Sequence, residues 1–408
     1  MKIGNGNTPL TNRLIDTLPK AMKPVAKFIN LQESDGGLST VRLGQEVATN
    51  WLPKAIFARS LADFTEMSFL EFSENALVYL APVAVGEGLR RLCTKKLPSA
   101  LKEGVATTAA NLLKEKGPNN KKLMPIKAAI AIGTLAIPLA EYSLSYVKNL
   151  FTLKLFKQAD FNNIANLNKN KKEDVEKQKQ VKESAKKHIK LAAGIYAGCA
   201  ALVALLATKG KNVKALQHLS EAVLAPGSKF FKNEKTAATI NKYFGLDFAN
   251  KNGKLAMSNG QITACVVLGG FGYFGAAKDR GKQNFKEVLY RFPLVGFYAI
   301  TGSALVEKGF KSFLKKKDKC QDILKAEAAD KNSARLNNLG ELAEKLAAKN
   351  GTTVEAEFKN VFKQKSKIIM TPFLFSLGFM GFFVAGVSRY FTQYRYNKEH
   401  ANQTPAEK

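Results

Sequence analysis

One acidic side chain inside a long apolar stretch is the residue whose position most directly suggests chemistry. Glu141 follows Pro138 by three residues, and both lie in the apolar stretch 128–147. A charged group near the centre of a bilayer costs about 2.5–3.5 kcal/mol, so such a residue usually faces protein or a water-filled path. A transporter would use Glu141 to bind a proton or cation beside the bend that Pro138 introduces. We favour the structural alternative, in which Glu141 lies about two turns from Lys148 and reaches headgroups or a neighbouring lysine.

Two pairs of small residues have the four-residue spacing at which membrane helices pack closely. Gly194 and Gly198 lie in a stretch of mostly Ala, Leu, Val and Gly, and Gly381 and Ala385 repeat the spacing nearer the carboxyl terminus. We interpret both pairs as helix-packing positions. For Gly194 and Gly198, the expected partner is another helix of this chain, and a second copy of the chain is the alternative.

Three glycines match the G-x-G-x-x-G pattern of dinucleotide-binding loops. They are Gly270, Gly272 and Gly275, which follow the strand-like stretch 262–268. A dinucleotide site needs a strand before the glycines and a later strand that carries a ribose-binding acid. Here the intervening residues are aromatic, and the next block is another apolar stretch. We therefore interpret these glycines as positions where helices approach each other.

The remaining residue types that often do chemistry are scattered along the chain. The histidines and cysteines are His188, His218, His400, Cys93, Cys199, Cys265 and Cys320. Their spacing matches no zinc site, disulfide framework or nucleophile motif. The sequence therefore predicts no metal, no cofactor and no enzymatic activity, with His188 an ordinary residue at the start of an apolar stretch.

Five apolar blocks supply the helices that must position these residues. The predicted spans are 128–147, 191–208, 261–277, 292–306 and 368–388. Most are long enough for a hydrocarbon core of about 30 Å, and nearly all are flanked by Lys or Arg that reach headgroups. The stretch 68–89 is a candidate sixth span or an interfacial helix, because its centre is uncharged but it carries three glutamates. The predicted fold class is all-α: a multi-pass helical membrane protein with about five spans and long extramembrane helices.

Three regions follow from this pattern. Residues 1–122 form an amino-terminal region of amphipathic or interfacial helices, 123–388 form the membrane helical domain, and 389–408 form a basic polar tail. The basic loops within the membrane domain are also predicted to be helical, and they are 148–190, 209–260 and 307–367. Because no Pro or Gly interrupts residues 171–190, they should continue into the second span. Thr352 and Glu355 have capping-box spacing for a helix that continues into the fifth.

The charge balance indicates a polyanionic surface nearby. The chain has 63 Lys and Arg against 33 Asp and Glu, a net charge of +30. Anionic lipid headgroups fit better than nucleic acid, because Lys predominates over Arg and the aromatic residues lie mainly inside the apolar blocks. The abundance of Lys and Asn is typical of AT-rich bacterial coding, so we expect a bacterial cytoplasmic membrane.

These observations predict an integral membrane protein that acts without catalysis, as an organiser, scaffold or assembly factor. Its expected partners are anionic lipid headgroups, other proteins or further copies of the same chain. One alternative is a small-solute or ion transporter that uses Glu141. The other is a soluble helical protein that binds a polyanion.

Overall fold

The computed structural model describes residues 9–34, 47–95, 108–109, 112, 120–168, 172–246, 248–251, 254–329 and 339–401. These residues are helical apart from turns and one short hairpin, so the all-α prediction is confirmed. The α-helices are α1 (Pro9–Asp16), α2 (Lys23–Ser34), α3 (Leu52–Ile56), α4 (Leu61–Tyr79), α5 (Ala81–Thr94), α6 (Asn120–Gly133), α7 (Ala136–Phe156), α8 (Phe161–Ile164), α9 (Val175–Lys209), α10 (Lys214–Leu224), α11 (Pro226–Phe230), α12 (Glu234–Phe244), α13 (Asn259–Arg280), α14 (Lys282–Phe297), α15 (Ser303–Lys316), α16 (Gln321–Ala329), α17 (Leu339–Asn350), α18 (Val354–Ser376) and α19 (Ala385–Ala401). The hairpin strands are β1 (Phe248–Lys251) and β2 (Lys254–Met257), and π-helical turns occupy Val47–Trp51, Tyr298–Gly302 and Leu377–Val384.

Among the described residues, five helices are long and apolar enough to cross a membrane, as the sequence predicted. They are Asn120–Phe156, Val175–Lys209, Asn259–Arg280, Lys282–Lys316 and Val354–Ala401, and each contains one predicted span. The candidate sixth stretch, 68–89, is divided between α4 and α5 at Leu80, and Pro82 lies in the first turn of α5.

The first candidate span is interrupted near its middle. Helix α6 ends at Gly133 and α7 begins at Ala136, so the break falls at Thr134 and Leu135. Pro138 lies four residues after Thr134, and in an unbroken helix its ring would meet the Thr134 carbonyl. A proline in a helix removes one hydrogen bond and clashes with the carbonyl four residues earlier. The break therefore lies where the sequence predicted that Pro138 would bend the helix.

Helix α9 is the longest unbroken element. Asp174 caps its start, because the Asp174 side chain accepts a hydrogen bond of 2.9 Å from the backbone N–H of Glu176. The helix then runs for 35 residues to Lys209, about 52 Å at 1.5 Å per residue. The prediction that the basic segment continues into the second span is confirmed.

The cap of α18 lies one residue later than the sequence predicted. Thr353, and not Thr352, is the N-cap, and its hydroxyl accepts a bond of 3.3 Å from the N–H of Ala356. Thr352 instead bonds the carboxylate of Glu357. Adjacent threonines offer the same cap chemistry, so spacing alone could not choose between them.

The chain groups into two compact units. The first contains Met1–Gln45, Lys251–Lys254 and Thr301–Gly378, and the second contains Glu46–Asn250, Leu255–Ile300 and Phe379–Lys408. The three linear regions given above remain a prediction.

In the first unit, α1 and α2 pack against α17 and α18. Their apolar faces meet in a core that includes Leu14, Ile29, Leu339 and Phe358, all fully buried. The amphipathic faces of these helices therefore pack on their own protein.

In the second unit, α7 lies at the centre and packs against α4, α9 and α13. One cluster of buried apolar residues joins α5, α6 and α9, and includes Cys93, Ile126 and Leu206. Another joins α7, α9 and α13 through Tyr146, Ala185 and Ala276. This arrangement places the polar residues of α7 against three neighbouring helices.

Candidate functional site

Glu66 on α4 is the centre of a group of buried charges in the second unit. Its two carboxylate oxygens accept bonds of 2.7 and 2.6 Å from Arg280 Nη1, and a third bond of 2.7 Å from Thr152 Oγ1. Lys148 Nζ lies 2.9 Å from Glu66 Oε1. Arg280 ends α13, and Lys148 and Thr152 lie one turn apart on α7. Three helices therefore meet at one carboxylate.

Arg59 holds a second group of charges next to the first. Its guanidinium donates to both carboxylate oxygens of Glu287 at 2.9 and 3.3 Å, and its Nε donates to Asp63 Oδ2 at 3.3 Å. Arg389 Nη2 lies 3.7 Å from the same Asp63 oxygen. Ser60 fixes the start of α4, because its hydroxyl accepts a bond from the N–H of Asp63. We refer to the charged residues of both groups as the ion network: Arg59, Asp63, Glu66, Lys148, Arg280, Glu287 and Arg389.

In the ion network, neighbouring opposite charges offset the effect of burial on the pKa values of Glu66 and Arg59. Burial alone would raise the pKa of Glu66, but Arg280 and Lys148 hold it at about 2, against an ordinary value of 4.5. Burial would lower the pKa of Arg59, but Glu287 and Asp63 raise it instead. Removing one partner of a buried pair typically costs about 3–5 kcal/mol, because a buried charge is left without compensation. The network therefore strongly constrains which helices are neighbours.

The ion network lies at the ends of the candidate spans. Lys148, Arg280 and Arg389 follow the carboxyl ends of the first, third and fifth predicted spans, and Glu287 lies between the third and fourth. The sequence suggested that such flanking bases reach lipid headgroups. In the structure these three side chains instead contact carboxylates of the same unit.

Glu141 begins a polar stripe on α7 that leads to the ion network. Glu141, Ser145 and Asn149 recur every four residues and are all buried. Asn149 Nδ2 donates to the carbonyl of Ala276 at 3.1 Å, and Gly269 of α13 lies beside the Cβ of Glu141. No described residue bonds Glu141 Oε1, Ser145 Oγ or Asn149 Oδ1. Glu141 thus faces neighbouring helices and pairs with no described lysine. The interpretation that we favoured from the sequence, in which Glu141 reaches headgroups or a neighbouring lysine, does not fit this position.

An adjacent face of α7 borders an open groove of about 620 Å³ between α7, α9 and α13. Tyr142 Oη bonds His188 Nδ1, and the ring of Tyr146 stacks on the His188 imidazole with centroids 4.3 Å apart. Lys177 and Lys278 line the same groove. We refer to this feature as the interhelical groove. His188, which the sequence presented as ordinary, is held in it by two tyrosines.

The glycines of the G-x-G-x-x-G match lie inside the continuous helix α13. The strand and loop that a dinucleotide site requires are therefore replaced by helix, and the packing interpretation is the one that fits. A Cβ on Gly272 would clash with the backbone carbonyl of Tyr142, and one on Gly275 would clash with Tyr146 Oη. These glycines allow α13 to approach α7 closely.

The two predicted packing pairs differ in their surroundings. Gly381 lies directly against Pro53 and the carbonyl of Thr49, and Ala385 is buried. A Cβ on Gly194 or Gly198 would meet nothing within 4 Å, so neither glycine packs against another described helix of this chain. The expected intramolecular partner of Gly194 and Gly198 is absent from the described residues, because that side of α9 is open.

Sequence reasoning singled out Glu141 but did not identify the ion network. Its partners are far apart in the chain: Glu66 and Arg280 differ by 214 positions, and Arg59 and Glu287 differ by 228. The available signal was the set of bases directly after the apolar blocks together with acids at the start of α4. No protein-family model matches this chain, and no curated protein or solved structure matches it either.

Proposed function

We propose that this is an integral membrane protein of a bacterial cytoplasmic membrane that organises other components without catalysing a reaction. The main support for membrane insertion is the exposed apolar surface of the long helices. Only 17% of the most apolar window of Val175–Lys209 is buried, and the same holds for Lys282–Lys316. Leu191 and Ile195 on α9 and Phe297 on α14 are each about half exposed. Soluble proteins rarely expose such continuous apolar surface, whereas lipid covers it at no cost.

The position of the ion network supports alternating membrane crossings. Successive spans run in opposite directions, so the first, third and fifth should end on the same side. Lys148, Arg280 and Arg389 follow those three ends and belong to one network. If the chain crossed the membrane an odd number of times between any two of these three residues, their charges would lie on opposite sides of a hydrocarbon core of about 30 Å.

Contacts within the second unit support a further crossing by 68–89. Glu66 lies beside Lys148 and Thr152, Phe69 stacks on Phe151, and Leu89 lies against Gly133. The chain from α4 to α5 therefore runs antiparallel to the first span over most of its length. This crossing returns the chain to the side on which the first span begins.

Two of the three acids that argued against this crossing are paired. Glu71 bonds Lys54, and Glu87 bonds Arg90 at 3.0 Å and the N–H of Ala109 at 2.7 Å. Paired acids that face protein are tolerated at membrane depth, whereas acids that face lipid are not. We therefore propose that 68–89 crosses the membrane in addition to the five candidate spans.

A non-catalytic role fits the use of the buried charges. The carboxylates of Glu66 and Glu287 accept bidentate or multiple bonds that hold helices together, which leaves them poorly suited to exchange protons with a substrate. The net charge of +30 favours contact with anionic headgroups. Tyr390 and Tyr394, both exposed beyond the fifth span, suit a membrane interface.

The first experiment is carbonate extraction of bacterial membranes that contain the tagged protein. We expect the protein in the pellet, since apolar spans resist alkaline release. Release into the supernatant would contradict membrane insertion and favour the soluble polyanion-binding alternative.

The crossings are then tested by labelling single cysteines with an impermeant maleimide, after alanine replaces the four native cysteines. Lys172→Cys and Lys282→Cys should react from one side of the membrane, and Lys95→Cys and Lys235→Cys from the other. All four lysines are exposed in the structure. If Lys95→Cys reacts from the same side as Lys172→Cys, 128–147 does not cross. A fifth variant, Leu61→Cys, tests 68–89, because Leu61 is exposed and precedes that stretch. If Leu61→Cys reacts from the same side as Lys95→Cys, 68–89 does not cross.

Glu141 supports a second candidate function, the transport of a proton or cation. Its buried Oε1 has no partner among the described residues, which is the state expected of a carboxylate that exchanges an ion. The test is proton or sodium flux in proteoliposomes. Flux that Glu141→Gln abolishes would favour transport, and equal flux in wild type and variant would exclude a role for Glu141.

A further inference from the structure

The interhelical groove changes in character along its length. Phe271 lies within the third predicted span and is 65% exposed, whereas Lys278 lies just beyond the end of that span. On α9, His188 precedes the second span, and Lys177 lies eleven residues farther out, about 16 Å at 1.5 Å per residue. The groove is therefore aromatic at membrane depth and basic towards water.

The charges that line the groove favour an anion. Neither Lys177 nor Lys278 forms an ion pair with an acid among the described residues, so both ammonium groups are available. The one acid in the lining, Asp279, accepts a bond of 2.6 Å from Ser184 Oγ. Two cations against one engaged carboxylate leave a net positive charge in the groove.

The surface below the groove favours an attached hydrocarbon chain. Leu191 and Ile195 lie about one and two turns beyond His188 on α9, on the same face, and both are about half exposed. Exposed apolar side chains in line with a basic site match a ligand with a charged head and an apolar tail.

We propose that the interhelical groove binds the phosphate of an anionic phospholipid through Lys177 and Lys278, with the acyl chains along Phe271 and α9. This inference rests on the proposed membrane insertion. His188, held by Tyr142 and Tyr146, forms the wall between the basic and apolar parts of the groove. The protein would thereby fix one lipid at a defined place among its helices.

The test measures binding of a fluorescent phosphatidylglycerol to the full-length protein in mild detergent. The variant Lys177→Gln/Lys278→Gln should bind about 30-fold more weakly, because each basic residue near an anionic lipid contributes roughly a fivefold factor. The matched control is Lys182→Gln/Lys186→Gln, which removes the same charge from exposed positions of α9 outside the groove. This control should bind within about twofold of wild type.

Competitors identify the source of the phosphate. Unlabelled phosphatidylglycerol should displace the probe, whereas phosphatidylcholine and inorganic phosphate should displace it poorly. If inorganic phosphate competes as well as the lipid does, the groove is a site for a free anion and the lipid assignment is wrong. Equal binding by the groove and control variants would also overturn the proposal. Carbonate extraction of the same variants separates this failure from a failure of membrane insertion.

Discussion

Replacing Glu66 with Gln should strongly destabilise the second unit. The change leaves Arg280 and Lys148 buried without the carboxylate that both contact. The pKa of Glu66 lies at about 2 against an ordinary 4.5, and a shift of that size corresponds to about 3 kcal/mol of stability at neutral pH. Loss of one partner from buried ion pairs gives a similar figure, about 3–5 kcal/mol.

The measurement is thermal unfolding in detergent, followed by circular dichroism at pH 7. At roughly 2 °C per kcal/mol, Glu66→Gln should lower the Tm by about 6 °C or more. The matched control is Glu221→Gln, which removes a carboxylate from an exposed pair with Lys229. Such pairs contribute about 0–1 kcal/mol, so the control should lower the Tm by no more than about 2 °C.

A second substitution tests the cause of the loss. If uncompensated cations are responsible, Lys148→Met should cost less in the Glu66→Gln background than in wild type, because it then removes an unpaired charge. Additive effects of the two substitutions, or a Glu66→Gln variant as stable as the Glu221→Gln control, would refute the role given to the ion network.

The structure supports three further predictions. Because the pKa of Glu66 is depressed, the stability that Glu66 contributes is fully present above about pH 4.5 and is lost as the pH falls towards 2. The Tm difference between wild type and Glu66→Gln should therefore be constant between about pH 5 and 8 and become smaller in acid. A Tm difference that grows in acid would contradict this sign. Gly272→Ala should lower the stability by about 1–3 kcal/mol, because the added methyl group clashes with the Tyr142 backbone. Gly194→Ala should not lower the Tm, because Gly194 faces open space. Equal losses of Tm in the two variants would show that close contact between helices is not the cause. Thr353→Ala should cost about 1 kcal/mol as the N-cap of α18, while Thr352→Ala should cost less, and the reverse order would favour the cap predicted from the sequence.

The helices were predictable because each apolar block is continuous in the sequence. Length and flanking lysines were enough to predict the five candidate spans, and the absence of Pro or Gly from 171–190 predicted that α9 begins well before the second span. The break at Thr134 also followed from Pro138, since a proline acts on the carbonyl four residues earlier. Local chemistry therefore accounts for the elements and for most of their ends.

The site was less predictable because its contacts join distant segments. Lys148 and Arg389 looked like headgroup anchors, and only the fold brings them to Glu66 and Asp63. Gly194 and Gly198 show the opposite case, in which a spacing typical of helix packing meets no neighbour among the residues that the structure describes. Sequence spacing describes one helix face, but the identity of the opposing surface depends on tertiary structure.

The ion network and the interhelical groove are linked through the same two helices. On α13, Arg280 is fixed by Glu66, and Lys278 lies two residues earlier in the groove. On α7, Tyr142 and Tyr146 face the groove, while Glu141 and Lys148 face α4 and α13. A site whose walls are held by buried ion pairs needs no rearrangement to accept its ligand, so it loses little conformational entropy on binding. In the proposed membrane arrangement, the buried charges support the organising role by holding the basic groove open at the ends of the candidate spans.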